Sequence, residues 1–279
     1  MLRSYQDSDE FRSLAPRSRV DYVGKIKLIE KEFSNFPLAA MTDVRTRGIF
    51  KSWRERLAIA SRRQADYAWV VLARVLSWGM DRGLVAANPC ARGGRLYRGS
   101  RAEKIWTDAD EAAFLDRAPT HLHLALALAL WTGQRQGDLL RLPWSAYDGK
   151  HIRLRQRKGG ARVVIRVGQP LKAALDAAQK RSTIILTNSD GKPWSPDGFR
   201  ASWGKACRKA GIVGVTFHLR GTAVTRLALA ECTEAEIATI TGHSLRSVRA
   251  ILDTHYLARD PALGESAITK LERRTKAPD

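Results

Sequence analysis

Residues 91–101 constrain this chain more than any other stretch, because four of the eleven are Arg and three are Gly. A segment of that kind presents no apolar face, so neither helix nor sheet can bury it. The chain is therefore expected to divide there, with one folding unit over 1–98 and another over 99–279. The bridge itself suits a run along a phosphate backbone, and it suits a plain linker equally well.

On the near side of the bridge, residues 17–90 read as helical. An amphipathic stretch runs from Ser18 to about Phe33 and a second from Val44 to about Leu57. A third begins after Ser61, with Tyr67, Trp69, Val70, Leu72, Val75, Leu76 and Trp78 at helical spacing. Gly83 and Asn88-Pro89 close it. Beyond the bridge, Thr107 caps a helix through Leu115, and Leu122–Trp131 predicts a buried helix that stops near Gly133. Ile152–Arg155 and Val163–Val167 are β-rich runs around Lys158-Gly159-Gly160, which predicts a hairpin. Helices are expected again over 170–181, 198–210, 222–230, 233–241 and 245–256. Thr233 with Glu236 forms a capping box, and Gly242 is a helix stop. The fold class expected is mainly α with one small β-sheet.

Charge narrows the function. The formal net charge is +20. Residues 1–100 carry 19 Lys and Arg against 10 Asp and Glu, and the remainder carries 29 against 18. Both halves are thus basic, which points to a polyanion, nucleic acid foremost, rather than to a basic tail. Cys90, Cys207 and Cys232 are isolated, so neither a zinc site nor a disulfide framework is expected. No hydrophobic signal core opens the chain, and its longest apolar run is about half a bilayer span. A cytoplasmic protein is the expectation, nucleoid-associated when bound to DNA.

Four polar clusters fall where secondary structure changes. Thr132-Gly133-Gln134-Arg135-Gln136-Gly137-Asp138 presents Arg135 at the end of a buried helix, with Asp138 one turn on as a possible brace. Lys158 sits at the hairpin tip beside Arg155 and Arg157. Phe217-His218-Leu219-Arg220-Gly221-Thr222 precedes a helix. Thr241-Gly242-His243-Ser244 is followed by Tyr256 near a helix end. Each has an ordinary structural reading: a solvated arginine, a turn lysine, a capping histidine, a packing tyrosine.

Together, Arg135, Lys158, His218, Arg220, His243 and Tyr256, in that order, resemble the tyrosine recombinase (phage integrase) family. The resemblance covers roughly residues 100–262, and the first hundred residues look like the family's helical, SAM-like core-binding domain. It implies a catalytic domain over 99–279 that cleaves and rejoins DNA through a 3′-phosphotyrosyl bond to Tyr256, without metal or cofactor. By the same resemblance Arg135 and Arg220 hold the scissile phosphate, and His218 assists proton transfer. His243 hydrogen-bonds the phosphate, and Lys158 protonates the departing 5′ oxygen. Arg92, Arg95, Arg98, Arg101, Arg155 and Arg157 are candidate DNA contacts. The implied assembly is a homotetramer on two DNA sites, a monomer or dimer without DNA, with room for a DNA-bending or directionality factor.

The family usually reads His-x-x-Arg, whereas this chain reads His218-Leu219-Arg220. On a helix, a spacing of three leaves side chains about 60° apart and a spacing of two about 160° apart. That shortening motivates a second reading, a catalytically impaired DNA-binding protein of the same fold. A helix-turn-helix regulator over 233–256 and a type IB topoisomerase are further readings of the same residues.

Overall fold

The computed structural model describes residues 1–98, 105–212, 217, 219–255, 265, 268, 269, 271 and 272, the side chains of 254 and 255 excepted. The chain separates into two compact units, Met1–Gly99 and Ser100–Asp279.

In the first unit, α1 (Leu2–Gln6), α2 (Asp9–Arg12), α3 (Pro16–Phe33) and α4 (Val44–Met80) surround one apolar core. The two expected helices over 44–80 are continuous except at Ser61, whose φ of −164° and ψ of 109° are extended. Its hydroxyl accepts a hydrogen bond from Gln64 N, restarting the helix as a cap would. The short α1 and α2 had no counterpart in the periodicity, being too brief to show one. They form because Tyr5 is fully buried and packs edge-on against Phe11 and Trp78.

Residues 91–98 are not a free linker. Arg47 Nη1 donates to Pro89 O at 2.6 Å and Ala91 O at 2.8 Å, and Trp69 Nε1 donates to Cys90 O. Arg54, only 3 % exposed, donates to Gly93 O and Gly94 O and pairs with Asp66. Asp66 in turn accepts from the backbone N–H of Leu96 and Tyr97. A Cβ on Gly93 would fall 1.8 Å from Trp69 Nε1, so only glycine fits there. Composition alone concealed this latch.

The second unit begins with α5 (Asp108–Arg117), α6 (His123–Thr132) and the single turn α7 (Gln136–Leu139). An antiparallel hairpin of β1 (His151–Arg155) and β2 (Arg162–Arg166) follows, in the register Leu154 opposite Val163. After it come α8 (Gln169–Asp176), α9 (Pro196–Lys209), α10 (Leu219–Leu229), α11 (Glu234–Thr241) and α12 (Leu245–His255). The capping boxes expected at Thr107 and Thr233 are both formed. α8 stops five residues short of the expected end. Leu171 and Leu175 are buried, but the next position on that face is Gln179, which gives no apolar area to extend the helix.

The core of this unit surrounds α6, whose Ala125, Leu126, Leu128 and Ala129 are almost wholly buried. Trp106, Phe114, Phe199, Trp203 and Phe217 form a continuous aromatic cluster beside it. A smaller group, Val224, Ala228, Ile237 and Val248, fastens α10, α11 and α12 to one another. The hairpin contacts α11, which carries its turn towards the end of that helix.

Candidate active site

Two left-handed glycines build the site. α6 ends at Gly133 (φ 61°) and α11 at Gly242 (φ 66°). A Cβ on Gly133 would lie 2.7 Å from Thr241 Cγ2, and one on Gly242 would lie 2.5 Å from Gln156 Nε2. Both positions thus need glycine for its φ and for the close approach of neighbouring chains. The abrupt stops turn Arg135 and His243 out of their helices toward the same place.

Gln156, the first residue after β1 and 1 % exposed, joins the pieces. Its Oε1 accepts from Arg135 Nη1 at 2.8 Å. Its Nε2 donates to Gln134 Oε1 and to Thr241 O, each at 2.7 Å. Thr241 O also accepts from Arg220 Nη2 at 2.5 Å. Gln134, equally buried, donates to Thr132 O and Ile240 O. One amide and one carbonyl therefore tie Arg135 and Arg220 together, although 85 positions separate them in the chain. Nothing about Gln156 distinguishes it in sequence from the polar turn residues after it, and no periodic signal marks Thr241.

The electrostatics of the site favour an anion. Arg220 lies in the first turn of α10, and its Nε and Nη1 are buried without a hydrogen-bond partner among the described residues. Burial, then the charge of Arg135, push its pKa down to about 10, against the opposing pull of Asp138. His243 is driven down to about 4, first by burial and then by Arg220 and Arg135, and is neutral at pH 7. Its Nδ1 lies 2.9 Å from Thr241 Oγ1. Two guanidiniums repel each other here while N–H groups that need acceptors stay unmet. A bound oxyanion would relieve both.

Arg135, His243 and Lys158 line one cavity of about 760 Å³, along with Gly242, Ser244 and Ser247. Lys158 is exposed on the hairpin turn, between β1 and Gly159 (φ 90°), and its carbonyl accepts weakly from Arg135 Nη1 at 3.4 Å. Asp138 does not brace Arg135. Its Oδ1 accepts from Arg157 N at 3.0 Å and so anchors the hairpin turn. Arg155 and Arg157 are exposed on that hairpin, and Arg92, Arg95 and Arg98 are exposed in the first unit, Arg92 with a left-handed φ of 52°. His218, Tyr256 and Arg101 lie outside the described residues.

Residues 98–256, more than half of the chain, match the model of the phage integrase family. The integrase of Escherichia phage HK022 is 29% identical over 178 residues, 63% of this chain and 48% of that protein. The integrase of Mycobacterium phage L5 is 23% identical over 261 residues, covering 84% and 70%. The chain spans about half the length of the first of these relatives. Among solved structures, residues 75–356 of the lambda integrase bound to DNA superpose with a TM-score of 0.74 at 20% identity, covering 88% of this chain and 91% of that one. The Tn1549 transposon integrase, in complex with a circular intermediate DNA, gives 0.73 at 17% identity, covering 94% and 95%. At those identities the structural likeness speaks for the fold.

Proposed function

We propose, from the premise that this chain belongs to the phage integrase family, that it is a site-specific recombinase that breaks and rejoins duplex DNA. The single observation that carries this reading is the pairing of Arg135 and Arg220 around Gln156 and Thr241, with buried guanidinium N–H groups left open for an anion. A phosphodiester cleaved without metal needs fixed cations on its non-bridging oxygens as charge builds there, and two permanently charged forks supply them.

In this scheme Tyr256 attacks phosphorus, a 3′-phosphotyrosyl bond forms, and the bond to the 5′ oxygen breaks. Lys158, on its exposed turn, protonates that oxygen. The phenol's ordinary pKa is about 10, so the attack needs a nearby proton acceptor and a cationic surround. His218 is the candidate acceptor, and His243 hydrogen-bonds the phosphate. Rejoining to another 5′ hydroxyl reverses the steps and conserves the phosphodiester energy.

The first unit is proposed as the core-binding domain and the second as the catalytic domain. Arg92, Arg95, Arg98, Arg101, Arg155 and Arg157 are the proposed DNA contacts of the two units. A lambda integrase tetramer has been solved on a Holliday junction, which supports a homotetramer on two DNA sites as the working assembly here. A DNA-bending or directionality factor belongs to the same proposal.

The deciding experiment traps the intermediate on a nicked suicide duplex carrying the junction sequence of the phage or mobile element whose integrase this would be. A DNA adduct should form at Tyr256 by mass spectrometry. Tyr256→Phe should abolish it while leaving duplex binding within about threefold. Absence of any Tyr256-dependent adduct would refute the assignment.

A further inference from the structure

Polar groups of α4 hold residues 88–97 along their length. Asn88 Nδ2 donates to Ala73 O at 2.9 Å and to Ser77 Oγ at 2.8 Å, and Trp69 Nε1 donates to Cys90 O at 3.0 Å. Arg47 donates to the carbonyls of Pro89, Ala91 and Arg92, and Arg54 to those of Gly93 and Gly94. Asp66, paired with Arg54, accepts the amides of Leu96 and Tyr97 at 2.9 to 3.1 Å. Asp66, Trp69, Ala73 and Ser77 stand three or four positions apart, on one side of the helix that restarts after Ser61. From residue 89 onward each of these bonds goes to backbone. The side chains of Arg92, Arg95 and Arg98 take part in none of them and are exposed.

We propose that Asp66 and Arg54 are positioning residues for DNA: they fix the backbone of residues 93–97 before a duplex arrives, and so present Arg92, Arg95 and Arg98 as a preset row of cations for its phosphates. Left free, a Gly- and Arg-rich segment would have to be ordered as it met the phosphates, against the repulsion among its own guanidiniums. Here α4 does the ordering in advance. The carboxylate beneath the segment is matched by Arg54, whose guanidinium also lies 5.1 Å from the centre of the Trp69 ring, so the pair sets no net negative charge against a polyanion. Arg92 holds a left-handed φ of 52°, which costs an arginine more than a glycine. With glycine at the next two positions, the chain keeps a guanidinium where the backbone would favour none.

The role rests on the recombinase reading only for its partner, duplex DNA, and it falls to residues that touch no phosphate themselves. It also reverses an ordinary expectation. Removing a carboxylate from a basic protein strengthens its attraction for DNA. Asp66→Asn should weaken it, because the row of arginines is no longer held.

The probe is a labelled duplex of mixed sequence, about 30 base pairs long, titrated with the full chain in about 0.15 M salt, since phosphate contacts do not depend on sequence. Circular dichroism establishes that each variant is folded at the temperature used. Asp66→Asn should bind about tenfold more weakly. So should Gly93→Ala, which alters no charge but would set a Cβ 1.8 Å from Trp69 Nε1. With Arg92, Arg95 and Arg98 all changed to Ala, adding Asp66→Asn should cost no more than about a further twofold. Native or tighter binding by either folded variant, or an undiminished loss in the triple-alanine background, would overturn the positioning role. In the native chain without DNA, the Leu96 and Tyr97 amides should exchange with solvent at least about 100-fold more slowly than in an unstructured peptide. Unprotected amides would overturn the proposal even if neither variant folds. The expected affinities from a native chain that forms no Tyr256 adduct on the suicide duplex would instead remove the recombinase reading and leave the latch standing.

Discussion

At the scale of single residues, the site depends on a neutral amide that carries no charge of its own. Gln156 directs both amide hydrogens and its carbonyl oxygen toward the interior, on Gln134, Thr241 and Arg135. Gln156→Leu keeps the volume but takes a hydrogen bond from three polar partners, each buried or half-buried, and leaves Gln134 Oε1 without its donor. Leaving such groups unmet costs about 1–3 kcal/mol. The expected outcome is a lower melting temperature in calorimetry. Adduct formation on the suicide duplex should fall about 100-fold, on the scale of losing one preorganised donor. Duplex affinity should change far less, since phosphate contacts elsewhere survive. A variant that cleaves like the native protein would show that Arg135 does not need this anchor.

At the scale of elements, the helix stops matter more than the helices. Gly133 combines a left-handed φ with a Cβ position 2.7 Å from Thr241 Cγ2, whereas Gly24, inside α3, has nothing within 4 Å of its Cβ position. The same substitution should act in opposite directions. Gly133→Ala should destabilise by about 1–3 kcal/mol and displace Arg135. Gly24→Ala should stabilise by up to about 1 kcal/mol by raising helix propensity. Thermal unfolding of the two variants side by side checks the pair, and equal shifts would contradict it. The hairpin plays a comparable part, because Asp138 holds the Arg157 amide and thereby sets where Lys158 begins its turn.

At the scale of the molecule, two properties can be measured directly. The first is acid sensitivity. Burial would raise the Asp66 pKa, but Arg54 and the amides of Tyr97 and Leu96 outweigh it and hold the carboxyl below its usual value. A group depressed in the folded state stabilises above its unfolded pKa, about 3.9, and that contribution is lost as pH falls through the folded value. The native melting temperature should therefore drop below about pH 4 by more than that of Asp66→Asn. Parallel curves would mean that the latch on residues 91–98 contributes no linked stability. The second is salt dependence. Each arginine among the proposed contacts that reaches a phosphate should, when changed to Ala, reduce the slope of log affinity against log salt by about 0.9. Unaltered slopes would remove that residue from the interface.

The sequence by itself determined the mainly helical fold with one hairpin, the break near residue 100 and the break at Ser61. It also determined the family, and it singled out Arg135, Lys158, Arg220 and His243 as candidates. Those signals are local: apolar spacing, caps, glycine stops and short motifs, each readable within a few residues. Only the tertiary structure decided that Gln156 and Thr241 join the two arginines, that Asp138 serves the hairpin and not Arg135, and that the Gly/Arg-rich bridge is latched to buried Arg54 and Asp66. Hydrogen bonds across 12 to 116 positions leave no periodicity behind, because a single buried amide or hydroxyl looks the same in sequence whether it faces water or another chain segment.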